Sequence, residues 1–489
     1  MPSPLDSLRT TLRAKGLRHA LIIILVLLAA LILYLNIERA RGLQAWTDYQ
    51  SQAKAANRWV DYASFAGAPV PADQNFAAAP LLQNLALSGN DAAAAPARDF
   101  QKRFDDLIPA DHVPNGLGEF GHWETSQPVD LLFWRTHWGV TDLLAPLKKF
   151  EAELADFAAA ARRPATHFPP EGEPTSASLA ALLDNLTRLT CLTELRALAE
   201  LAQGQPGPAA DDITTLLRAA QRCAAAPEIN YQMLAVDIQS GALPVLWQGL
   251  AQRAWDDAQL AALENELAAL DLLASSRRAW QYEAAFSTAA FEQTLGGPAA
   301  LPADNTVLAG LAAIAQRFPR GWFYQTMVGF RRFYDGGILA CYDLPRHRLD
   351  PAAVAQVTKM EEALAASWSP YNYLLKTLAP AHQSLMVVAK AQAGLDLARV
   401  ACALERARLA TGQYPEKLDA LAPVYITNLP PDIITGQPLI YQRAPAGDKF
   451  VLYSVAWNNR DDGGFVAPAL SARWSDGDWT WSYDPLPKR

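Results

Sequence analysis

The stretch ALIIILVLLAALILYLNI, from Ala20 to Ile37, decides the organisation of this chain. It holds no charged residue in 18 positions, with Arg18 shortly before it and Glu38 directly after it. As a helix it spans about 27 Å, close to the ~30 Å hydrocarbon core of a bilayer. Buried helices of soluble proteins seldom run this far without a charge. The sequence therefore predicts a single transmembrane helix, not a core helix.

The flanks of this stretch favour a retained anchor over a cleaved signal peptide. Signal cleavage needs small residues after the apolar run, and the chain has Glu38 and Arg39 there. The preceding tail, residues 1–19, is rich in basic residues, which predicts a cytoplasmic N-terminus. We expect a single-pass protein of the bacterial inner membrane that contacts the lipid bilayer through residues 20–37. Its bulk would then be periplasmic or otherwise extracytoplasmic.

The composition of the remaining chain is that of an ordinary globular protein. Of the 489 residues, 51% are hydrophobic and 19% are charged, and the net charge is −8. This length suffices for two or three domains. Mild acidity, with no basic cluster beyond the N-terminal tail, argues against a nucleic-acid partner.

Residues 38–163 are predicted to form a helical stalk and then an irregular, aromatic-rich region. The stalk covers residues 38–65, and one of its faces is apolar, with Leu43, Trp46, Tyr49 and Ala53. Prolines interrupt residues 66–140, whose aromatic cluster is more typical of a core than of a ligand site. A helix near residues 141–161 precedes a proline-rich linker at residues 164–174.

Residues 175–295 show the clearest helical pattern. Leucines recur at helical spacing from Leu179, the first helix should end near Gly204, and a later one should begin at Asp256 with Gln259 completing a capping box. The pattern predicts an array of helical hairpins, loosely similar to tetratricopeptide-type repeats but without their ~34-residue period. The pairs Asp211-Asp212 and Asp256-Asp257 suggest a metal or acid–base site, but their positions favour helix capping.

Residues 305–400 are predicted to form a further helical region. Its aromatic residues between 305 and 350 would fill the gap between helical layers, or alternatively contact a partner or a membrane surface. A long helix should follow from about Pro380 to Ala410.

The cysteines give no disulfide framework, although Cys191 and Cys223 form a candidate pair. They lie near level positions of a predicted antiparallel helical hairpin, so a disulfide is geometrically feasible in an oxidising compartment. The alternative is two buried thiols, which are common core residues. The sequence leaves both interpretations open.

Residues 401–489 change in character and predict a small α+β module. A helix ends near Gly412, which suits a left-handed cap. Strands are then predicted at residues 439–443, 449–455 and 479–483. The second has apolar residues on both faces, so we expect it to be the central strand of an antiparallel sheet.

This module resembles the C-terminal part of the type II secretion major pseudopilin family. The resemblance rests on G-Q-Y-P at residues 412–415, L-P-x-D-x-x-T-G-x-P-L-x-Y at 429–441, L-Y-S-V at 452–455 and the Asn/Asp loop at 458–464. It covers about the last 90 residues. In that family the membrane segment is continuous with the module's helix, whereas here about 370 residues intervene and Leu21 stands where a Glu is expected. Assembly into a pseudopilus therefore does not follow from it.

The resemblance implies calcium as a cofactor, because members of that family commonly bind calcium in the loop after the strand. The matching oxygen ligands are Asn458, Asn459, Asp461 and Asp462. The alternative is an ordinary turn, for which Asn-Asn and Asp-Asp-Gly-Gly are typical sequences. No other cofactor is expected.

The sequence carries no catalytic motif of the G-x-S-x-G, H-E-x-x-H or Walker type. The overall prediction is a mainly α protein with a transmembrane helix, an extracytoplasmic array of helical hairpins and a pseudopilin-like α+β module. Its expected function is that of a non-enzymatic scaffold or interaction protein linked to a secretion or pilus-like system. The alternative is an anchored hydrolase that uses the region around His112 and His122.

Overall fold

The computed structural model describes residues 4–65, 67, 69–89, 92–108, 144–168, 176–296, 310–311, 313, 318–372, 380–466 and 477–483. The described chain is mainly helical, with a long apolar N-terminal helix and a small antiparallel sheet near the C-terminus, as predicted. Its contacts divide it into two compact units, each discontinuous in sequence. Unit 1 comprises Met1–Ala63, Ala284–Gly336 and Met360–Ala379, and unit 2 comprises Ser64–Glu283, Gly337–Lys359 and Pro380–Arg489.

The α-helices, numbered in chain order within the described residues, are α1 Pro4–Ala55, α2 Pro80–Leu85, α3 Ala95–Asp105, α4 Glu151–Ala161, α5 Ser176–Ala202, α6 Pro206–Ala225, α7 Ile229–Ala251, α8 Asp257–Ala268, α9 Leu272–Thr294, α10 Arg320–Arg332, α11 Pro351–Ala366 and α12 Ala381–Thr411. The strands are β1 Tyr342–Asp343, β2 Arg348–Leu349, β3 Ile440–Arg443, β4 Phe450–Ser454 and β5 Trp479–Ser482. Short 3₁₀-helices and one π-helical turn, Phe333–Gly337, connect several of them.

Helix α1 carries the predicted apolar stretch on its outside. Among the described residues it is the one helix long and apolar enough to cross a membrane, a test that a signal sequence also passes. The helix continues without a break to Ala55, so it covers most of the predicted stalk but ends before the predicted limit at residue 65, which a separate 3₁₀-helix, Tyr62–Phe65, reaches. Burial starts at Glu38, so the apolar stretch stays uncovered while the following turns pack into unit 1.

The buried face of the stalk differs in one position from the predicted face. Trp46, Tyr49 and Ala53 are buried as expected, but Leu43 is 45% exposed. Its place is taken by Gly42, whose backbone lies against that of Gly321 in α10. Two helices approach this closely only where no side chain separates their backbones, so a glycine lies at the crossing. The apolar pattern instead assigned the buried position to the neighbouring Leu43.

The aromatic residues of α10 and the turn after it fill the core of unit 1, as predicted. Phe323, Phe330, Phe333 and Tyr334 are all buried. Phe291 of α9 packs edge-on against Phe323 and Phe330, with ring centroids 5.8 and 5.5 Å apart. These aromatic side chains therefore pack inside unit 1.

Unit 2 contains the helical array, in which α6 packs on α5 and α7, and α12 packs on α7 and α8. The capping box at Asp256 and Gln259 is confirmed, with both hydrogen bonds present. The capping role predicted for Asp211 and Asp212 is wrong. Helix α6 already begins at Pro206, so both acids lie inside the helix. Proline is favoured at the first helical position because the N–H that it lacks would have no partner there.

The C-terminal sheet has the order β3-β4-β5 and is antiparallel throughout. The central position of β4 is therefore confirmed. The register places Leu452 opposite both Tyr441 and Trp481. Gly412 ends α12 with a φ of +84°, the left-handed conformation that the sequence predicted.

Candidate functional site

The predicted calcium ligands lie in a turn after β4 that is closed by its own hydrogen bonds. Asn458 donates through Nδ2 to Asp462 at 2.7 Å, and the backbone N–H of Gly463 donates to Asp461 at 2.9 Å. Tyr453 of β4 donates its hydroxyl hydrogen to the same Asp461 carboxylate at 3.1 Å. These bonds hold the loop in place without a ligand.

Asp478 is a further member of this loop that the sequence analysis missed. It is 3% exposed and accepts backbone N–H groups of Asp462 and Gly464, the latter at 2.8 Å. Burial raises the pKa of Asp478 to about 6, and the nearby charges of Asp462 and Asp461 add to the rise. In the sequence, Asp478 is recognisable only as a turn residue directly before β5. Its contact with the loop depends on tertiary packing, which the local sequence does not indicate.

The two interpretations of this loop, a calcium site and an ordinary turn, differ in a measurable way. Within the described ranges, no group of three or more His, Cys, Asp or Glu side chains is placed to hold a metal ion. Because Asp461 and Asp478 already accept hydrogen bonds, we expect millimolar calcium to leave the melting temperature of the full chain unchanged. A calcium-dependent rise that disappears in the Asp461→Asn variant would contradict this and establish the site.

Two segments that carry the pseudopilin-like motifs are joined through Asp432. Its carboxylate accepts the backbone N–H groups of Ile434 and Thr435 and, with its other oxygen, that of Val455 at 3.0 Å. The aspartate of P-x-D-x-x-T-G is thus bonded to the last residue of L-Y-S-V. Tyr414 of G-Q-Y-P donates to buried Glu405 of α12 at 2.8 Å. These residues position the sheet on the helix.

The candidate disulfide partners, Cys191 of α5 and Cys223 of α6, are buried free thiols. Burial raises the pKa of both thiols, to about 12 for Cys223. Such thiols are protonated at neutral pH and poor nucleophiles. Oxidation of the pair stays a prediction.

Two acids with raised pKa values, Glu194 of α5 and Asp237 of α7, interact in unit 2; Glu194 is buried and Asp237 is half-buried. Glu194 is 5% exposed, and its carboxyl group lies over Gly241 of α7, where a side chain would collide with it. Burial, and then the charge of Asp237, raises the pKa of Glu194 well above its ordinary value. Burial raises the pKa of Asp237 to about 7.

Because the pKa values of both acids are raised in the folded chain, we expect unit 2 to lose stability as the pH rises. A carboxyl group with a higher pKa in the folded chain binds its proton more tightly there. Stability therefore falls between the unfolded pKa, roughly 4, and about 7, the folded pKa of Asp237. We expect the free energy of unfolding to drop by a few kcal/mol between about pH 5 and pH 8. Urea unfolding at both pH values measures it.

Variants of the two acids provide the control for this pH dependence. Glu194→Gln and Asp237→Asn each remove one titrating group, so each should flatten the decline. A wild-type stability that is constant or increasing over this interval would contradict the prediction. So would an unchanged slope in both variants.

A buried polar network joins the stalk to the core of unit 1. Arg331 and Asp335 form an ion pair at 3.2 Å with side chains 2% and 1% exposed. Tyr49 of α1 donates its hydroxyl hydrogen to Asp335 at 2.6 Å. The Arg331 guanidinium also stacks over Trp59, 4.5 Å from the ring centre. Desolvation by burial, followed by the bond to Asp335, raises the pKa of Tyr49.

Unit 1 also contains a pocket of about 460 Å³ between α10, the end of α11 and the turn that follows. Its apolar lining comes from Val328, Phe333, Met360 and Leu364. Arg332 supplies a positive charge, and the hydroxyl groups of Ser367, Ser369 and Tyr371 supply hydrogen-bonding groups. This lining offers a binding surface of mixed polarity.

Known proteins provide no guide to these sites. Comparisons with models of protein families, with curated proteins and with solved structures found no match.

The structure brings the four predicted calcium ligands together, and it does not describe the two histidines of the predicted enzyme site. The four loop residues share one turn, whereas His112 and His122 lie outside the described residues. His347 has a defined partner, since its Nε2 lies 2.9 Å from Asp396 of α12. Burial lowers the pKa of His347, but the hydrogen bond and charge of Asp396 outweigh that effect and raise it. The pair ties the turn between β1 and β2 to α12.

Proposed function

We propose that this protein is a membrane-anchored scaffold of the bacterial envelope that binds other proteins through its extracytoplasmic body. The observation that carries the proposal is the continuity of α1. Its apolar stretch is uncovered, and the same helix packs into unit 1 from Glu38 onward. The uncovered stretch and the buried turns that follow it are thus parts of one helix, as expected for a retained anchor.

The C-terminal module is the part of the body that we propose for partner binding. Its likeness to major pseudopilins in sequence motifs suggests a secretion or pilus-like system as the setting. Support comes from the bonds of Asp432 and Tyr414, which connect the motif residues to one another within one small sheet-on-helix arrangement. Val424, 69% exposed, is an apolar residue on its surface.

The anchor is tested by fractionating native membranes that contain the full chain. We expect the protein to resist carbonate extraction and to retain its N-terminal peptides in mass spectrometry. Cysteines introduced at Thr10 and Gln52 should react with an impermeant reagent from opposite sides. Release of a chain that lacks residues 1–37 would show a signal peptide and overturn the proposal.

Partner binding is tested by a photoreactive amino acid placed at Val424 in intact cells. A discrete cross-linked adduct at this position, and none at Leu87, is the expected result. Leu87 is the matched control, because it is an exposed apolar residue of the same unit, 40% exposed. No adduct at Val424, or the same adducts at both positions, would argue against binding by the module.

A further inference from the structure

A short turn directly after α11 in unit 1 is fixed by four hydrogen bonds of its own. The side chain of Asn372 accepts the backbone N–H of Ser369 at 3.1 Å and donates to the hydroxyl of Ser367 at 3.2 Å. Ser369 in turn accepts the backbone N–H of Tyr371 through its hydroxyl and that of Asn372 through its carbonyl. Residues 367–372, here called the Trp368 turn, therefore have a defined conformation.

This fixed turn presents an exposed indole. Trp368 is 77% exposed, more than any other large hydrophobic residue that the structure describes. An ordered backbone that holds a large apolar ring in water gains nothing for folding. Contact with another surface that covers the ring would be favoured by the burial of its apolar area. The ordered turn reduces the entropic cost of that contact.

The Trp368 turn lies near the crossing of α10 and α1. Ser369 and Tyr371 line one pocket with Gln325 of α10, and a Cβ at Gly321, one turn earlier on α10, would lie 2.5 Å from the backbone oxygen of Glu38. The Tyr371 hydroxyl interacts with the carboxylate of Glu38, which raises the pKa of Tyr371. Tyr34, one turn earlier on α1, is close enough to contribute to the same shift. Tyr34 and Glu38 mark the end of the stretch at Ile37, so the turn is at the level of the membrane–water interface if residues 20–37 span the bilayer.

The chemistry of an interface matches the side chains found there. Tryptophan and tyrosine concentrate at the headgroup level, where the ring is in a partly apolar medium and its N–H or O–H meets polar groups. The Trp368 turn offers one of each, on a chain segment next to the interfacial Tyr34. Its serines and Asn372 supply the hydrogen bonds that fix the backbone.

We propose that the Trp368 turn is a second membrane contact, in which the Trp368 indole lies in the headgroup region of the leaflet from which the stalk emerges. The partner is thus a lipid surface, and unit 1 touches the bilayer at two places instead of one. This inference rests on the proposed function, because it requires residues 20–37 to span the membrane.

The test measures depth with a fluorescent probe on single introduced cysteines of the full-length protein in phosphatidylcholine vesicles. NBD is attached at Trp368→Cys, at Leu28→Cys within the apolar stretch and at Gln52→Cys, which is about 22 Å beyond Ile37 along α1. The four native cysteines are buried, so the wild-type chain gives the labelling background. Quenchers are lipids with a nitroxide at the headgroup or deep in the acyl chain, and aqueous iodide.

We expect headgroup nitroxide to quench the probe at position 368 at least about twofold more than at position 52. Iodide should quench position 52 more than position 368. Equal quenching at the two positions, with position 28 quenched by the deep nitroxide, overturns the membrane contact and leaves the anchor intact. No deep quenching at position 28 overturns both proposals.

Discussion

Replacing Asp335 by alanine should destabilise unit 1 by about 3–5 kcal/mol, because it leaves the buried Arg331 charge without its partner. The side chains are 1% and 2% exposed, so water cannot replace the lost carboxylate. Tyr49 loses its acceptor at the same time. Hydrogen exchange of the peptide covering residues 320–336, in detergent micelles, should accelerate by about two to four orders of magnitude.

Two further variants separate the buried charge from a general effect of mutation. Asp48→Ala removes a carboxylate from the exposed side of the same stalk, and should change stability by less than about 0.5 kcal/mol. Combining Arg331→Met with Asp335→Leu should recover most of the loss, since no unpaired charge remains. A cost below about 1 kcal/mol for Asp335→Ala would show that the pair is not what secures the stalk.

Replacing Gly321 by alanine should separate the stalk from α10. The new Cβ would lie 2.5 Å from the backbone oxygen of Glu38 and 2.8 Å from the nitrogen of Arg39. Backbone atoms cannot rotate away as side chains do, so we expect a loss of about 1–3 kcal/mol or more. This exceeds the ~1 kcal/mol that alanine gains over glycine in helix propensity. Faster hydrogen exchange in both α10 and the stalk is the measurement.

Gly336 is the matched control for this substitution. It belongs to the same unit, and a Cβ there would meet no atom within 4 Å. Gly336→Ala should therefore leave exchange unchanged or slow it. Gly42→Ala should resemble Gly321→Ala, and the double variant should cost less than the sum, because the helices need to separate only once. Additive effects would contradict a shared crossing.

Local sequence patterns were sufficient to predict several elements. Apolar residues on both faces of one segment placed β4 at the centre of the sheet, and Gly412 and Asp256 marked a helix end and a helix start correctly. Each of these signals depends on residues close together in the chain. Their energetics are local, so the sequence alone carries them.

Contacts between distant residues were not predictable in this way. Tyr49 and Asp335 are 286 positions apart, and nothing near either residue indicates the other. Asp212 looked like a helix cap, but it accepts a two-pronged bond from Arg196 of the preceding helix. Leu43 looked like a core residue, but a glycine crossing turned it outward. In all three cases tertiary packing outweighed the local preference.

Helix α12 determines how far the C-terminal module can be transferred to another protein. It packs against the array helices α7 and α8 and also against strands β4 and β5 of the sheet. The sheet is attached to the array as well, since Trp247 of α7 donates to the backbone carbonyl of Ser482 at 2.9 Å. A piece cut at residue 401 would leave Cys402 and Leu404, both 0% exposed, without the helices that cover them. The module is therefore not portable, because in another protein its helix would need a new apolar cover.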